Sequence, residues 1–308
     1  MKTTYPDYFK DFRCIADKCE HSCCIGWEID VDSDTLKQYK KVKGDFGKRL
    51  LENIDLKCDA PHFILGEKER CPFLNEKGLC DIIIELGEES LCDICSDHPR
   101  FRNFFSDREE LGLGLCCEEA CRLILSKEEP TEFITEDDGE DFELFEDEEI
   151  LLSLRDELFD IARDRRISVD NRCDEILEFL ETALPSKSPK RWAEFLSGLE
   201  IMDEGWKDHL DELGKADSFA PIPKEFQVSF EQLLVYFLYR HLAEAEDSSD
   251  LAARAAFAVL SVKIINTIFM QMGGDLAVLC DICRRYSSEI EYSEENTEKI
   301  LNAIDFYI

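Results

Sequence analysis

Glu128–Glu149 reads EEPTEFITEDDGEDFELFEDEE, with thirteen acidic residues and no basic one. Such a run repels itself and reads as a solvated linker or loop, although Phe133, Ile134, Phe142, Leu144 and Phe145 could pin it onto a neighbour. It separates two halves of different character. Twelve of the 15 cysteines lie within the first 121 residues, and only Cys173, Cys280 and Cys283 follow the run. The expected division is therefore a cysteine-rich domain over 1–125, an acidic linker over 126–149 and a helical domain over 150–308. A length of 308 residues suits two domains.

Helical periodicity dominates after the run. Leu151, Leu154, Leu158 and Ile161 share one face, as do Trp192, Phe195, Leu196, Leu199 and Met202. Ser188-Pro189 supplies an N-cap and a first-turn proline to the second stretch. Further helical patterns cover Glu225–Ala245, Leu251–Met272, Asp275–Tyr286 and Ser293–Phe306, with Gly273-Gly274 punctuating two of them. About six helices are expected, with no β-hairpin and no internal repeat. The first half offers short helices near Asp34–Lys41 and Gly47–Ile54, and is otherwise loop-rich. The fold class is mainly α: a loop-rich, metal-binding N-terminal domain followed by an all-helical C-terminal domain.

The composition is 44% hydrophobic with 21 Phe, enough for a core, so wholesale disorder is excluded. The net charge of −34 repels phosphate backbones, which argues against nucleic acid or anionic membranes as partners. A basic partner, or a lysine presented as substrate, suits it better. MKTTYPDYFKDFRC has no apolar signal segment, and Arg254 and Lys263 interrupt Leu251–Met272, which reads as a core helix rather than a span. The expected compartment is the cytoplasm. Dense cysteines in a reducing compartment bind metal or do redox chemistry more often than they form disulfides.

The cysteines form three blocks: Cys14, Cys19, Cys23 and Cys24; then Cys71 and Cys80, with Cys92 and Cys95; then Cys116, Cys117 and Cys121. Zinc and iron–sulfur clusters both take four such ligands, and spacing alone does not separate them. A loop-rich region that buries little apolar surface also needs a metal to hold it. Cys92-Asp-Ile-Cys95 could serve as a redox pair, but lacks the βαβ context that such motifs use. Cys280-Asp-Ile-Cys283, inside a helical pattern, reads as core packing. His98 is either a fourth ligand or an exposed residue at a helix stop. Arg100 could offset thiolate charge or hold a cofactor carboxylate. Tyr236, Tyr239, Arg240 and His241 are candidates for a cofactor-binding polar site, against the plainer reading of an aromatic core face with a snorkelling arginine. No Gly-rich nucleotide fingerprint follows a strand. Gly112-x-Gly114 reads as a turn or tight packing, and Cys19-x3-Cys23 lacks the third cysteine of a CxxxCxxC triad.

Phe12-Arg-Cys14 through Cys23-Cys24-Ile-Gly26-Trp27, CPFLNEKGLC, LGEESLCDICSDHPR and CCEEACRL occur in order over residues 8–125. In these blocks the chain resembles the flagellin lysine-N-methylase family and related zinc- or iron-chelating cysteine-rich proteins. The resemblance implies a protein-lysine N-methyltransferase that moves methyl groups from S-adenosylmethionine to lysines of flagellin, with an iron–sulfur cluster (4Fe–4S, zinc as alternative) on cysteine ligands. Cys14, Cys19, Cys23, Cys24, Cys71, Cys80, Cys95 and Cys117 fall on family-typical positions, as do Pro99 and Arg100. Cys58, Cys92, Cys116 and Cys121 do not. Competing classes are a non-enzymatic metal-stabilised adaptor for basic partners and a redox-sensing cluster protein.

Overall fold

The structure, a computed structural model, describes residues 1–58, 60–139 and 142–305, with the Asp305 side chain outside the description. Thirteen α-helices and six short strands occur among these residues, so the chain is mainly α. It divides into a larger unit, Met1–Phe12 with Arg102–Ile308, and a smaller one, Arg13–Phe101. The division thus falls at 12/13 and 101/102, whereas the sequence suggested the acidic run.

The larger unit contains β1 (Lys2–Pro6), β5 (Arg108–Leu113) and β6 (Phe133–Glu136). With β4 (Arg100–Phe104) they form a sheet in the order β4-β5-β1-β6. β1 runs parallel to β5, pairing Thr3 with Glu109, and antiparallel to β6, pairing Tyr5 with Ile134. This explains why the acidic run is not simply a linker. Its middle is an edge strand, where charged side chains are tolerated because one side faces no neighbouring strand. Its start is fastened as well, because Gln232 Nε2 donates to the carbonyls of Lys127 (3.1 Å) and Glu129 (2.7 Å). Phe133 lies between the rings of Phe159 and Tyr239, at centroid distances of 4.8 and 4.6 Å.

The helices of this unit are α5 (Glu118–Leu125), α6 (Glu146–Ala162), α7 (Val169–Phe179), α8 (Pro189–Leu196), α9 (Gly205–Leu213), α10 (Gln227–His241), α11 (Ser248–Met272), α12 (Leu276–Tyr286) and α13 (Glu294–Asp305). From α6 onward there are eight, where six were expected. α7 and α9 went unannounced, their apolar stripes each interrupted by a buried polar residue, Arg172 and His209. Ser188 caps α8 as expected, accepting from the Arg191 amide. The 25-residue α11 is long and apolar enough to cross a membrane by length and composition, yet 78% of its most apolar window is buried within the protein. It packs against α7, α9, α10, α12 and α13. Two buried ion pairs brace the unit: Arg155 to Glu110, at 2.7 and 2.5 Å, and Arg172 to Glu231, at 2.7 Å.

The smaller unit contains α1 (Ser33–Tyr39), α2 (Gly44–Glu52), the hairpin β2 (Ile54–Asp55) and β3 (His62–Phe63), α3 (Asp81–Leu86) and α4 (Asp93–Asp97). The hairpin had no signal in the sequence, since two-residue strands leave no alternation to read. Ile29, Val31, Tyr39, Leu50, Ile54, Phe63, Phe73 and Ile82 form a compact core, and Cys71 and Cys92 are buried with them. The region therefore buries more apolar surface than its composition suggested. Asp32 ties it together: its carboxylate accepts from Asp34 and Thr35 at the start of α1, and from the Asp93 amide at the start of α4.

Candidate functional site

Four of the eight candidate metal ligands converge in the smaller unit. CPFLNEKGLC folds back on itself through Asn75, whose side-chain oxygen accepts from the Lys77 and Leu79 amides, and Gly78 takes the left-handed conformation (φ +73°) that the turn requires. Leu74 consequently bridges Cys80, which sits just before α3. The Cys71 amide donates to the Cys24 carbonyl at 2.8 Å, bringing in the first block. Cys92 and Cys95 arrive at the start of α4. The result is a group of five thiols, Cys24, Cys71, Cys80, Cys92 and Cys95, packed on one edge of the core.

Their electrostatics are those of a crowded thiol site. Burial pushes Cys71 up to about 12, and Cys24 and Cys80 raise it further. Burial likewise raises Cys80. Cys95 is raised by its hydrogen bond to Cys92, by burial, and by the charges of Cys92, Cys24 and Cys71. Cys24 is drawn down to about 7 by the Cys23 thiol, helped by Ser22 and Arg70 against the cost of burial. Cys92 is lowered by Cys95 and by the Tyr39 hydroxyl 3.9 Å away. Such mutual repulsion is what a bound cation relieves, so this donor set fits a metal centre.

The other candidate ligands are placed differently. Cys14 and Cys23 are exposed and Cys19 is half-buried, all on the loop before Cys24. Cys117 is at the start of α5, in the larger unit. His98 is half-buried against Trp27 rather than exposed, and burial, with Arg100 adding, holds it down to about 4. Arg100 donates to the Ser96 carbonyl at 3.1 Å. In the larger unit Cys121 donates to the Cys280 carbonyl at 3.4 Å and touches the thiols of Cys280 and Cys283. Burial raises the pKa values of Cys121 and Cys283, which marks inert, packed thiols.

Tyr236 and Arg240, one turn apart on α10, meet a residue that sequence reasoning missed. The Tyr236 hydroxyl lies 3.0 Å from the Glu291 carboxylate and accepts from Arg240 Nη1 at 2.9 Å. Arg240 Nε is 3.3 Å and His241 Nε2 2.8 Å from Glu291 Oε1. Glu291 is fully buried. Burial works to raise its carboxyl, but Arg240 and His241 outweigh that and leave it below the ordinary range. A Cβ on Gly114 would come within 2.2 Å of the Tyr292 hydroxyl and 3.2 Å of Arg240 Nη1, so the second glycine of GLGLC permits this packing. Tyr239 stands apart from the network. Its hydroxyl donates toward the Thr4 and Leu111 carbonyls at 3.2 and 3.1 Å, joining α10 to the sheet.

A groove of about 270 Å³ opens at the start of α6 and the turn before α11. Ile150, Leu151, Leu154 and Leu251 line its apolar wall, and Asp147, Glu148, Glu246 and Asp247 supply carboxylates.

The family described as "FliB lysine N-methylase C-terminal domain" matches residues 106–307. Proteins called "Lysine-N-methylase" from Salmonella choleraesuis strain SC-B67 and Salmonella typhimurium strain LT2 are each 30% identical over 134 residues, covering 41% of this chain and 33% of theirs. The "Flagellar biosynthetic protein FliU" of Salmonella muenchen is also 30% identical, over 41% of this chain and 78% of its own length. The match thus spans about a third of the curated lysine-N-methylases. No solved structure matches.

Proposed function

The chain belongs to the FliB lysine N-methylase family, and from this membership we propose that it methylates lysine side chains of flagellin, with S-adenosylmethionine as donor. The family match over residues 106–307 carries the reading. The flagellar name of one relative supports the choice of substrate, and the acidic, apolar groove within the matched segment supports a lysine as the group bound.

S-adenosylmethionine, when bound, supplies an electrophilic methyl group. The protein must present a neutral amine to it. A lysine with a pKa near 10.4 is neutral in only about one molecule in 10³ to 10⁴ at pH 7. In the groove the four methylenes of the lysine would lie along Ile150, Leu151, Leu154 and Leu251. Its ammonium would reach the carboxylates of Asp147 and Glu246, which would bind and orient it before its proton is lost to solvent.

Cys24, Cys71, Cys80 and Cys95 are proposed to hold a metal centre that ties three loops of the smaller unit together. The resemblance of the cysteine blocks supports an iron–sulfur cluster as the group they would hold, with zinc as the alternative.

Anaerobic incubation with labelled S-adenosylmethionine and flagellin tests the activity. Label on flagellin lysines is expected, with a raised KM for Glu246→Gln. Flagellin binding without transfer would instead make the protein an adaptor. Iron with acid-labile sulfide in the purified protein is expected, and stoichiometric zinc would replace the cluster assignment.

A further inference from the structure

His62 stands between two sets of possible ligands. The hairpin carries Asp55 at the end of β2, Cys58 in the connection and His62 at the start of β3. One ligand atom from each lies within 4.8 Å of the other two. Cys58 Sγ is 3.5 Å from His62 Nδ1. At the opposite corner of the ring, Nε2 is 3.3 Å from the Glu28 carboxylate. One carboxylate oxygen from each of Glu28 and Asp30 also lies within 4.8 Å of the other and of a His62 ring nitrogen.

A neutral imidazole has a single lone-pair nitrogen, so it cannot ligate ions on both sides. Nε2 is turned to the Glu28 carboxylate and Nδ1 to the thiol and, at 3.1 Å, to the Ala60 carbonyl, so with Nε2–H donating to Glu28 the Nδ1 lone pair is left for an ion that displaces the Ala60 contact. Nδ1 is then the base, and it faces the thiol and Asp55. A carboxylate, histidine and ion in line is the usual arrangement around metal-bound histidines. The ligand types agree with this choice. Sulfur, imidazole nitrogen and one carboxylate oxygen suit zinc and its neighbours, whereas calcium and magnesium take oxygen.

We propose that Asp55, Cys58 and His62 bind one zinc-class divalent ion, with Glu28 positioning the imidazole and solvent completing the coordination. The site shares no residue with the five-thiol group. Cys58 is exposed, and Asp55 and His62 are half-buried, so the ion is exchangeable rather than part of the core. Without an ion, Cys58 donates to the Ala60 carbonyl at 3.0 Å, and the same oxygen lies 3.1 Å from Nδ1. Binding replaces these contacts and releases the thiol proton to solvent.

The test uses the full chain, purified anaerobically so that its other cysteine site stays as isolated. Zinc is titrated against a chromophoric chelator, and cobalt(II) is added in parallel for its thiolate charge-transfer band. Wild type is expected to take up one more equivalent of zinc than Cys58→Ser, and the cobalt band of that extra equivalent should vanish in the variant. Cys58 is exposed, so the variant should keep the wild-type circular dichroism. Glu28→Gln should keep the stoichiometry while affinity falls about 10- to 100-fold, the usual cost of losing a carboxylate behind a ligating histidine. Equal zinc uptake by wild type and Cys58→Ser would overturn the site. Unchanged affinity in Glu28→Gln would overturn the positioning role.

Discussion

Glu291 illustrates how one residue can govern a pH response. Its carboxyl is held below the ordinary range because Arg240 and His241 outweigh the cost of burying it. The unfolded chain binds its proton first as pH falls, so the stabilisation is complete above about 4.5 and is lost as pH drops through the lower native value. Glu291→Gln should remove this part of the acid limb and cost roughly 3–5 kcal/mol at neutral pH, since it leaves Arg240 buried without its counter-ion. Urea unfolding of both proteins at several pH values checks it. An unchanged acid limb would mean that the carboxylate is not the group that titrates. Residues at this scale were unevenly legible. Arg240 and Tyr236 could be picked out from YFLYRH, but nothing near them announces Glu291, which approaches from 51 residues away. Likewise the cysteine blocks marked the thiol set. Which of them converge depends on the turn at Gly78 and on the hydrogen bond between Cys71 and Cys24, neither of which spacing reveals.

The strand β6 shows what patterning can and cannot disclose about an element. Thirteen acids hide four residues that complete a sheet, because the strand is short and its partner β1 lies over 100 residues earlier. The helices α6 and α12 were readable from an apolar face repeated at helical spacing, and α10 and α11 from long, nearly continuous apolar stretches. Phe133 anchors β6, so Phe133→Ala should lower stability by about 2 kcal/mol, under the usual range for phenylalanine because the ring is only half-buried. Replacing the exposed Glu132, Asp137 and Glu143 with amides should leave stability within about 0.5 kcal/mol. Thermal melts of the two variants separate anchoring from charge. Equal melting temperatures would show that the phenylalanine does not hold the strand.

Across the whole molecule the excess negative charge sets how a basic partner is met. Its reach is about 30 Å at 0.01 M salt and about 8 Å at physiological strength. If the exposed acids of 128–149 guide flagellin, their amide variants should associate more slowly and with a flatter salt dependence, while turnover at saturation barely changes. Identical salt slopes would assign the run to the sheet alone. Removing metal with a chelator should loosen Arg13–Phe101 and spare the helices of the larger unit, which hydrogen exchange can resolve. The sheet has a further consequence during synthesis. β1 leaves the ribosome before β5 and β6, the strands on either side of it, which begin only at Arg108 and Phe133. The smaller unit can fold while β1 still waits for both neighbours. The family match begins at residue 106, so a fragment cut there would lose β1 from the middle of its sheet and β4 from one edge. Such a fragment should expose both edges of β5 and the facing edge of β6 and self-associate; residues 1–12 supplied as a peptide should lessen that association by refilling the centre, and should restore a monomer only to a fragment that begins at Arg100 and keeps β4.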